Sequence, residues 1–203
     1  MRKVFQFKIS LLQIEPVIWR RIQISDLCTF WSLHIAIQDA MGWEDYHLHE
    51  FLLKDPETHK QLRIGIPFDD DPEEYATLAG WEVMVRTYID NNPIISYLYD
   101  FGDSWMHKIE FEGAYEKISG SKYPRCLDGK RKCPPEDVGS ITGYNNFIKS
   151  LKNKKHPEHK SNLRWVGGTF DPEQFDHTEV KFSRANVRLN QMIEATYEPD
   201  PTI

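Results

Sequence analysis

The chain has 203 residues, 40% of them hydrophobic and 13% aromatic, the composition of a globular protein with an aromatic-rich core. No stretch approaches the roughly 18 uninterrupted apolar residues that a membrane helix needs, and Gln6, Lys8 and Ser10 break the apolar N-terminus where a signal-peptide core would lie, so a cytoplasmic protein with no membrane contact is expected. A net charge of −6 hides an uneven spread, and three cysteines (Cys28, Cys126 and Cys133) argue against a disulfide framework and for a reducing compartment.

Residues 4–13 and 17–24 read as two strands joined near Pro16, which cannot donate to a ladder. Residues 30–41 read as a helix: Phe30, Leu33, Ile37, Ala40 and Met41 fall at helical spacing, Thr29 can cap the start and Gly42 the end. Residues 47–54 return to strand, with 62–66 as a pairing partner. Residues 69–79 are acidic and read as an exposed loop, while 81–90 are ambiguous between helix and strand. Next come two strands around a tight acidic corner. Ile95, Tyr97 and Tyr99 alternate on the first, and Trp105, His107, Ile109 and Phe111 on the second. Residues 120–139 read as irregular, 144–151 as a short amphipathic helix, 153–161 as a basic loop, 171–175 as one helical turn, and 185–196 as a final helix capped by Ser183.

Charge divides the chain. Residues 122–164 carry 11 Lys and Arg against 4 Asp and Glu, a local +7 that leaves −13 on the rest. The acid is densest at 69–74. The basic segment, with Lys130, Arg131, Lys132, Lys154 and Lys155, is a candidate contact for a protein or nucleic-acid partner, and Trp105 a candidate stacking surface. The competing reading is a solvated face for the lysines and core packing for the tryptophan.

The chemistry-bearing residues concentrate near the acidic corner. His47 and His49 are two apart on a predicted strand, so both face one side. Such a pair can hold a divalent metal such as zinc, with His107, Asp103 or His34 as a third ligand. The alternative is two histidines that bridge core and solvent. Asp100 and Asp103 can bind a metal or orient a water, or else cap the turn that Gly102 allows. Cys126 and Cys133 have six residues between them, too many for a usual zinc pair. Glu136 and Asp137 precede the 144–151 helix and read as favourable charges near its start. Asp100-Phe101-Gly102 lacks the phosphate loop and catalytic loop that would make it a kinase metal motif. Walker A, GxSxG and HExxH signatures are absent.

Four segments in order, IEPVIWRRIQI (14–24), LHIAIQDAMGWEDYHLHEF (33–51), YLYDFGDSWMHKIEFE (97–112) and YPRCLDGKRKCPPEDVGSITGYNNF (123–147), together with FDPEQFD (170–176), resemble the plasmid pRiA4b ORF-3-like family. Ser140 departs from it where the family tends to place a second Gly. The resemblance implies an α+β domain and carries no established activity. Nothing in the chain resembles a serine-recombinase active site or a helix-turn-helix with a recognition helix.

The expected fold is one α+β domain over residues 1–203, a curved, mostly antiparallel sheet with packed helices. Two functions follow. One is a non-enzymatic binding module for protein or nucleic acid. The other is a metal-dependent hydrolase or nuclease, with His47, His49 and His107 on the metal and Asp100 or Asp103 beside it. Convergence of the ligand atoms on one point separates them.

Overall fold

The first hairpin pairs β1 (Lys3–Leu11) with β2 (Ile18–Ser25) in antiparallel register, Phe7 opposite Ile22 and Leu11 opposite Ile18. The computed structural model describes residues 2–68 and 76–197, so the acidic run at 69–74 lies outside the described residues. After β2 the chain enters α1 (Phe30–Met41), whose bounds match the expected helix. Thr29 accepts from the Ser32 N–H, and Gly42, at φ 88°, returns its own N–H to the Gln38 carbonyl. A left-handed residue at that position closes a helix without a Cβ penalty.

Four more strands follow: β3 (His49–Lys54), β4 (Gln61–Gly65), the short β5 (Thr77–Ala79) and β6 (Ile94–Tyr99). The acidic corner then leads into β7 (Trp105–Glu116), and β8 (Arg125–Lys130) closes the sheet. The strand order is β5-β4-β3-β6-β7-β1-β2-β8. Every neighbouring pair is antiparallel except β4 with β5. Three helices come last: α2 (Ser140–Lys152), α3 (His159–Trp165) and α4 (Ala185–Tyr197).

One sheet face lies under α1. Across it runs a buried row of opposed residues, Phe51, Tyr97, His107, Leu11 and Ile18, and beside it a second row, His49, Tyr99 and Trp105. From α1, Gln38 Nε2 and His34 Nδ1 reach the Tyr97 hydroxyl at 2.9 and 2.8 Å. Phe30, Leu33 and Ile37 fill the rest of the contact at full burial, each contributing about 1.5–3 kcal/mol of transfer free energy. The acidic corner after β6 therefore hangs on an aromatic-packed sheet.

Some elements differ from expectation. β8 forms inside the segment read as irregular, because β2 supplies its ladder partners and local alternation is not needed. The basic loop read at 153–161 turns into α3 from His159 onward. Residues 81–90 hold turns and one 3-10 turn (Val85–Thr87), and 171–175 form a turn without helix. The Ser183 hydroxyl donates to Asp39 on α1 at 2.9 Å.

Gly143 fixes how α2 meets the loop before it. A Cβ built there falls 2.0 Å from the Val138 carbonyl oxygen. Gly143→Ala is therefore expected to destabilise by at least the about 1–3 kcal/mol usual for overpacking, although alanine is the better helix former by about 1 kcal/mol. A urea midpoint equal to that of the parent would contradict this close approach.

Candidate metal centre

β6 ends at Tyr99, and the chain turns at Asp100, which adopts a left-handed φ of 57°. The turn is held by its own carboxylate: Asp100 Oδ1 accepts from the Gly102 N–H at 2.9 Å and the Asp103 N–H at 3.2 Å. Asp and Asn are the side chains that best tolerate this backbone and close such turns. Asp103 points the other way, and its Oδ2 accepts from the Gly139 N–H at 3.0 Å. That bond draws the loop after β8 onto the corner. Glu136 on this loop completes the stitching. Its Oε1 accepts from the Glu44 N–H and from the Tyr99 hydroxyl, both at 2.9 Å. Three distant segments, around residues 44–48, 99–104 and 134–139, are thus tied together by carboxylates.

The stitching brings His47, Asp100 and Asp137 to one place, with one ligand atom from each within 4.8 Å of the others. His47 Nε2 is 3.0 Å from Asp137 Oδ1 and 3.7 Å from Asp100 Oδ2. Yet among the described residues this buried nitrogen has no hydrogen-bond partner. At 3.0 Å the distance suits a hydrogen bond, so it is the ring's direction that misses the oxygen. Two ligands of a common ion behave this way. With bonds of about 2.1 Å at tetrahedral or right angles, donor atoms stand about 3.0–3.4 Å apart while their lone pairs aim at the ion. The Asp137 side chain is 68% exposed, which leaves the outer side of such an ion open to solvent or substrate. Asp45, Asp100, Ser104, Asp137 and Ser140 all hold positive φ around this corner, and such backbone strain clusters where function demands a geometry.

Glu136 borders this group. Burial raises its pKa, outweighing the Glu44 N–H and Tyr99 hydroxyl that favour its charged form. Its second oxygen, Oε2, is buried without a hydrogen-bond partner among the described residues. A carboxylate with a raised pKa and one free oxygen is suited to accept and return a proton.

A second group, His34, Asp45 and His49, also falls within 4.8 Å. Its geometry does not suit an ion. The His34 and His49 rings are stacked, 3.4 Å apart and 5° from parallel. An ion bound in the plane of one ring would lie far out of the plane of the other. His34 is also fully used, with Nδ1 on Tyr97 and Nε2 on Asp45 Oδ1 at 2.7 Å. This is a buried polar brace, and Arg188 of α4 extends it by donating to Asp45 Oδ2 at 3.0 Å.

The expected ligand set of His47, His49 and His107 does not come together. β3 begins at His49, so His47 sits on a bend and escapes the strand alternation that would have put both on one face. His49 and His107 are buried beneath α1, and neither shares a metal-competent group with His47 among the described residues. Of the two aspartates, Asp100 joins the cluster and Asp103 is a loop tie. Trp105, expected as a stacking surface, is 0% exposed and belongs to the core. Arg131 is buried too, donating to the Pro16 carbonyl and paired with Glu173 at 2.9 Å, so it cannot meet a partner. Lys130, Lys132, Lys154 and Lys155 are exposed. Cys126 and Cys133 are free thiols, and burial pushes Cys133 up to about 12.

Asp137 escaped sequence reasoning because its neighbours in sequence suggested a helix start. The cap of α2 is Gly139, with no side-chain cap bond, so neither Glu136 nor Asp137 serves there. The usable signal was a carboxylate pair between a stiff Pro134-Pro135 and the left-handed Gly139, a loop of set shape.

Fold and site together define an α+β protein with an imidazole-carboxylate corner on the rim of one open sheet. The chain belongs to the plasmid pRiA4b ORF-3-like protein family, whose model matches residues 3–179. It is 30% identical over 191 residues to the uncharacterized protein y4hQ of Sinorhizobium fredii, covering 93% of this chain and 92% of that one. The crystal structure of a protein of unknown function, MM3350 from Methanosarcina mazei Go1, superposes with a TM-score of 0.82 at 39% identity, covering 90% of this chain and 99% of its own. No helix among the described residues is long and apolar enough to cross a membrane.

Proposed function

We propose that this protein is a divalent-metal-dependent hydrolase, with the ion held by His47, Asp100 and Asp137 and with Glu136 as the proton-transferring group. The observation that carries this reading is the buried His47 Nε2, 3.0 Å from Asp137 Oδ1 yet off its hydrogen-bond axis. One imidazole with two carboxylates suits zinc or manganese better than calcium, which takes all-oxygen shells. Three protein ligands leave coordination positions open, the pattern of catalytic as opposed to structural sites. When bound, the ion supplies Lewis acidity and a water of lowered pKa. With the ion in place, Glu136 would be the group that accepts a proton from the attacking water and returns it to the departing alcohol oxygen.

The test uses Mn²⁺ and Zn²⁺ titrations by calorimetry beside turnover of a phosphodiester and a carboxylic ester with nitrophenyl leaving groups. One ion per chain and metal-stimulated turnover on one ester class are expected. Glu136→Gln should keep the ion and lose about 10²–10⁴-fold in turnover. A stoichiometric ion with no turnover of either ester in the parent protein would overturn the hydrolase.

A further inference from the structure

We propose that the ligand of this site is single-stranded nucleic acid, lying across the α2–α3 hairpin with its bases against Trp165 and Tyr46. The proposal rests on the metal centre for the placement of one phosphate. The remaining contacts come from side chains that the centre does not use.

Trp165 ends α3 and is 49% exposed, and Tyr46 is 67% exposed. A large aromatic left in water next to a site is more informative than one in the core. The Trp165 ring does not hang free: it stands edge-on against the buried Phe147, with centroids 5.7 Å apart at 87°. With Tyr46, Pro134, Pro135 and Phe170 it walls a cleft of about 400 Å³, and Glu136 borders the same cleft. On its other side Trp165 borders a polar hollow of about 340 Å³ that includes Asp137, Asn146 and Asn162. The exposed indole thus stands between two hollows, each touching one of the two adjacent carboxylates of the centre.

Charge continues the track. Residues 140–165 carry Lys149, Lys152, Lys154, Lys155, Lys160 and Arg164 against Glu158 alone, a net +5 on a chain of −6. All six cations are exposed, and none is in an ion pair among the described residues. α2 has 13 residues and begins beside the centre, so it places Lys152 and the lysines after it about 18 Å away at 1.5 Å per residue. A ligand that uses both ends must carry repeated negative charge.

One chemistry meets every feature. A phosphodiester offers an anionic oxygen to the ion, successive phosphates meet the lysines, and unpaired bases present flat faces to Trp165 and Tyr46. A duplex keeps those faces inside its stack, so a single strand fits and a double strand does not. The carboxylates in the cleft do not oppose this, because base amino groups donate to carboxylates.

The test is fluorescence anisotropy with fluorescein-labelled 12-residue oligodeoxycytidylate and oligocytidylate, whose bases carry the amino donor, and with a duplex of equal length, in Mn²⁺ and in EDTA. Single strands should bind in Mn²⁺, with affinity falling about tenfold or more between 50 and 200 mM salt. Trp165→Ala should weaken binding about 5- to 100-fold, and Lys154→Glu with Lys155→Glu should weaken it and flatten the salt dependence. Calorimetric Mn²⁺ titration of each variant, with circular dichroism, reports that fold and centre are intact. Stoichiometric Mn²⁺ binding without oligonucleotide binding would overturn this proposal and leave the metal centre standing. Oligonucleotide binding indifferent to EDTA and to His47→Ala would remove the centre from the contact. Equal affinity for the duplex would overturn the single-strand assignment.

Discussion

Asp100→Asn is expected to abolish divalent-ion binding while leaving the fold in place, whereas Asp100→Ala should damage both. The two substitutions separate the two oxygens of one side chain. Oδ1 closes the corner by accepting from the Gly102 and Asp103 N–H groups. An Asn Oδ1 accepts equally well, and Asn tolerates the left-handed backbone at φ 57°. Oδ2 faces His47 at 3.7 Å, and there Asn places a neutral group that ligates poorly. Asn should therefore cost under about 1 kcal/mol of stability, the scale of one exchanged hydrogen bond. Alanine leaves both N–H groups without their acceptor and adds a left-handed strain of about 1–2 kcal/mol. Its total should reach about 2–4 kcal/mol, combining that strain with the hydrogen bonds lost. Urea denaturation and metal titration of both variants check this. Retention of the ion by Asp100→Asn would remove Asp100 from the site.

The second large effect is acid lability between about pH 6.5 and 4, the unperturbed histidine value and that of His107 in the fold. Burial pushes His107 down to about 4, against the opposing pull of the Tyr97 and Trp105 backbone. His49 is lowered well below its usual range by burial and by the neighbouring His34, and burial lowers His34 despite its bond to Asp45. In each case the unfolded chain binds a proton more readily than the folded one. The stability is therefore fully present above pH 6.5 and is lost as pH falls toward the folded-state value. For His107 alone the loss approaches about 3 kcal/mol, at 1.36 kcal/mol per unit. Its ring packs between Trp43 and Tyr97, at 5.4 and 5.3 Å. His107→Phe replaces it with a ring of similar shape that never charges. That variant should lie within about 1.5 kcal/mol of the parent at pH 7.5 and exceed it at pH 5.0. Parallel stability–pH curves for the two proteins would contradict the assignment.

Local periodicity made α1 and the β6–β7 pair legible in the sequence. Phe30, Leu33 and Ile37 mark a helical stripe between Thr29 and Gly42, and Tyr97, Tyr99, Trp105 and His107 alternate as strands must. β8 was illegible because an edge strand takes its order from β2, and α3 because a short charged helix has no apolar stripe to announce it. The candidate site, as proposed, shares two residues with the sequence reading. The acidic turn singled out Asp100, and the paired histidines singled out His47. His47 and His49 do not share a face. Strand alternation begins only at His49, and the two carry different environments, one at the corner and one under α1. Asp137 joins through the Asp103–Gly139 and Glu136–Tyr99 bonds. Those span 36 and 37 residues, and nothing local in the sequence records contacts of that range.

The most direct test of the metal centre is anomalous diffraction from crystals grown with Mn²⁺ or Zn²⁺. An anomalous peak is predicted within about 2.0–2.3 Å of His47 Nε2, Asp100 Oδ2 and an Asp137 carboxylate oxygen. A saturated crystal with no peak there, and with His47 Nε2 rotated into a plain hydrogen bond to Asp137, would contradict the account.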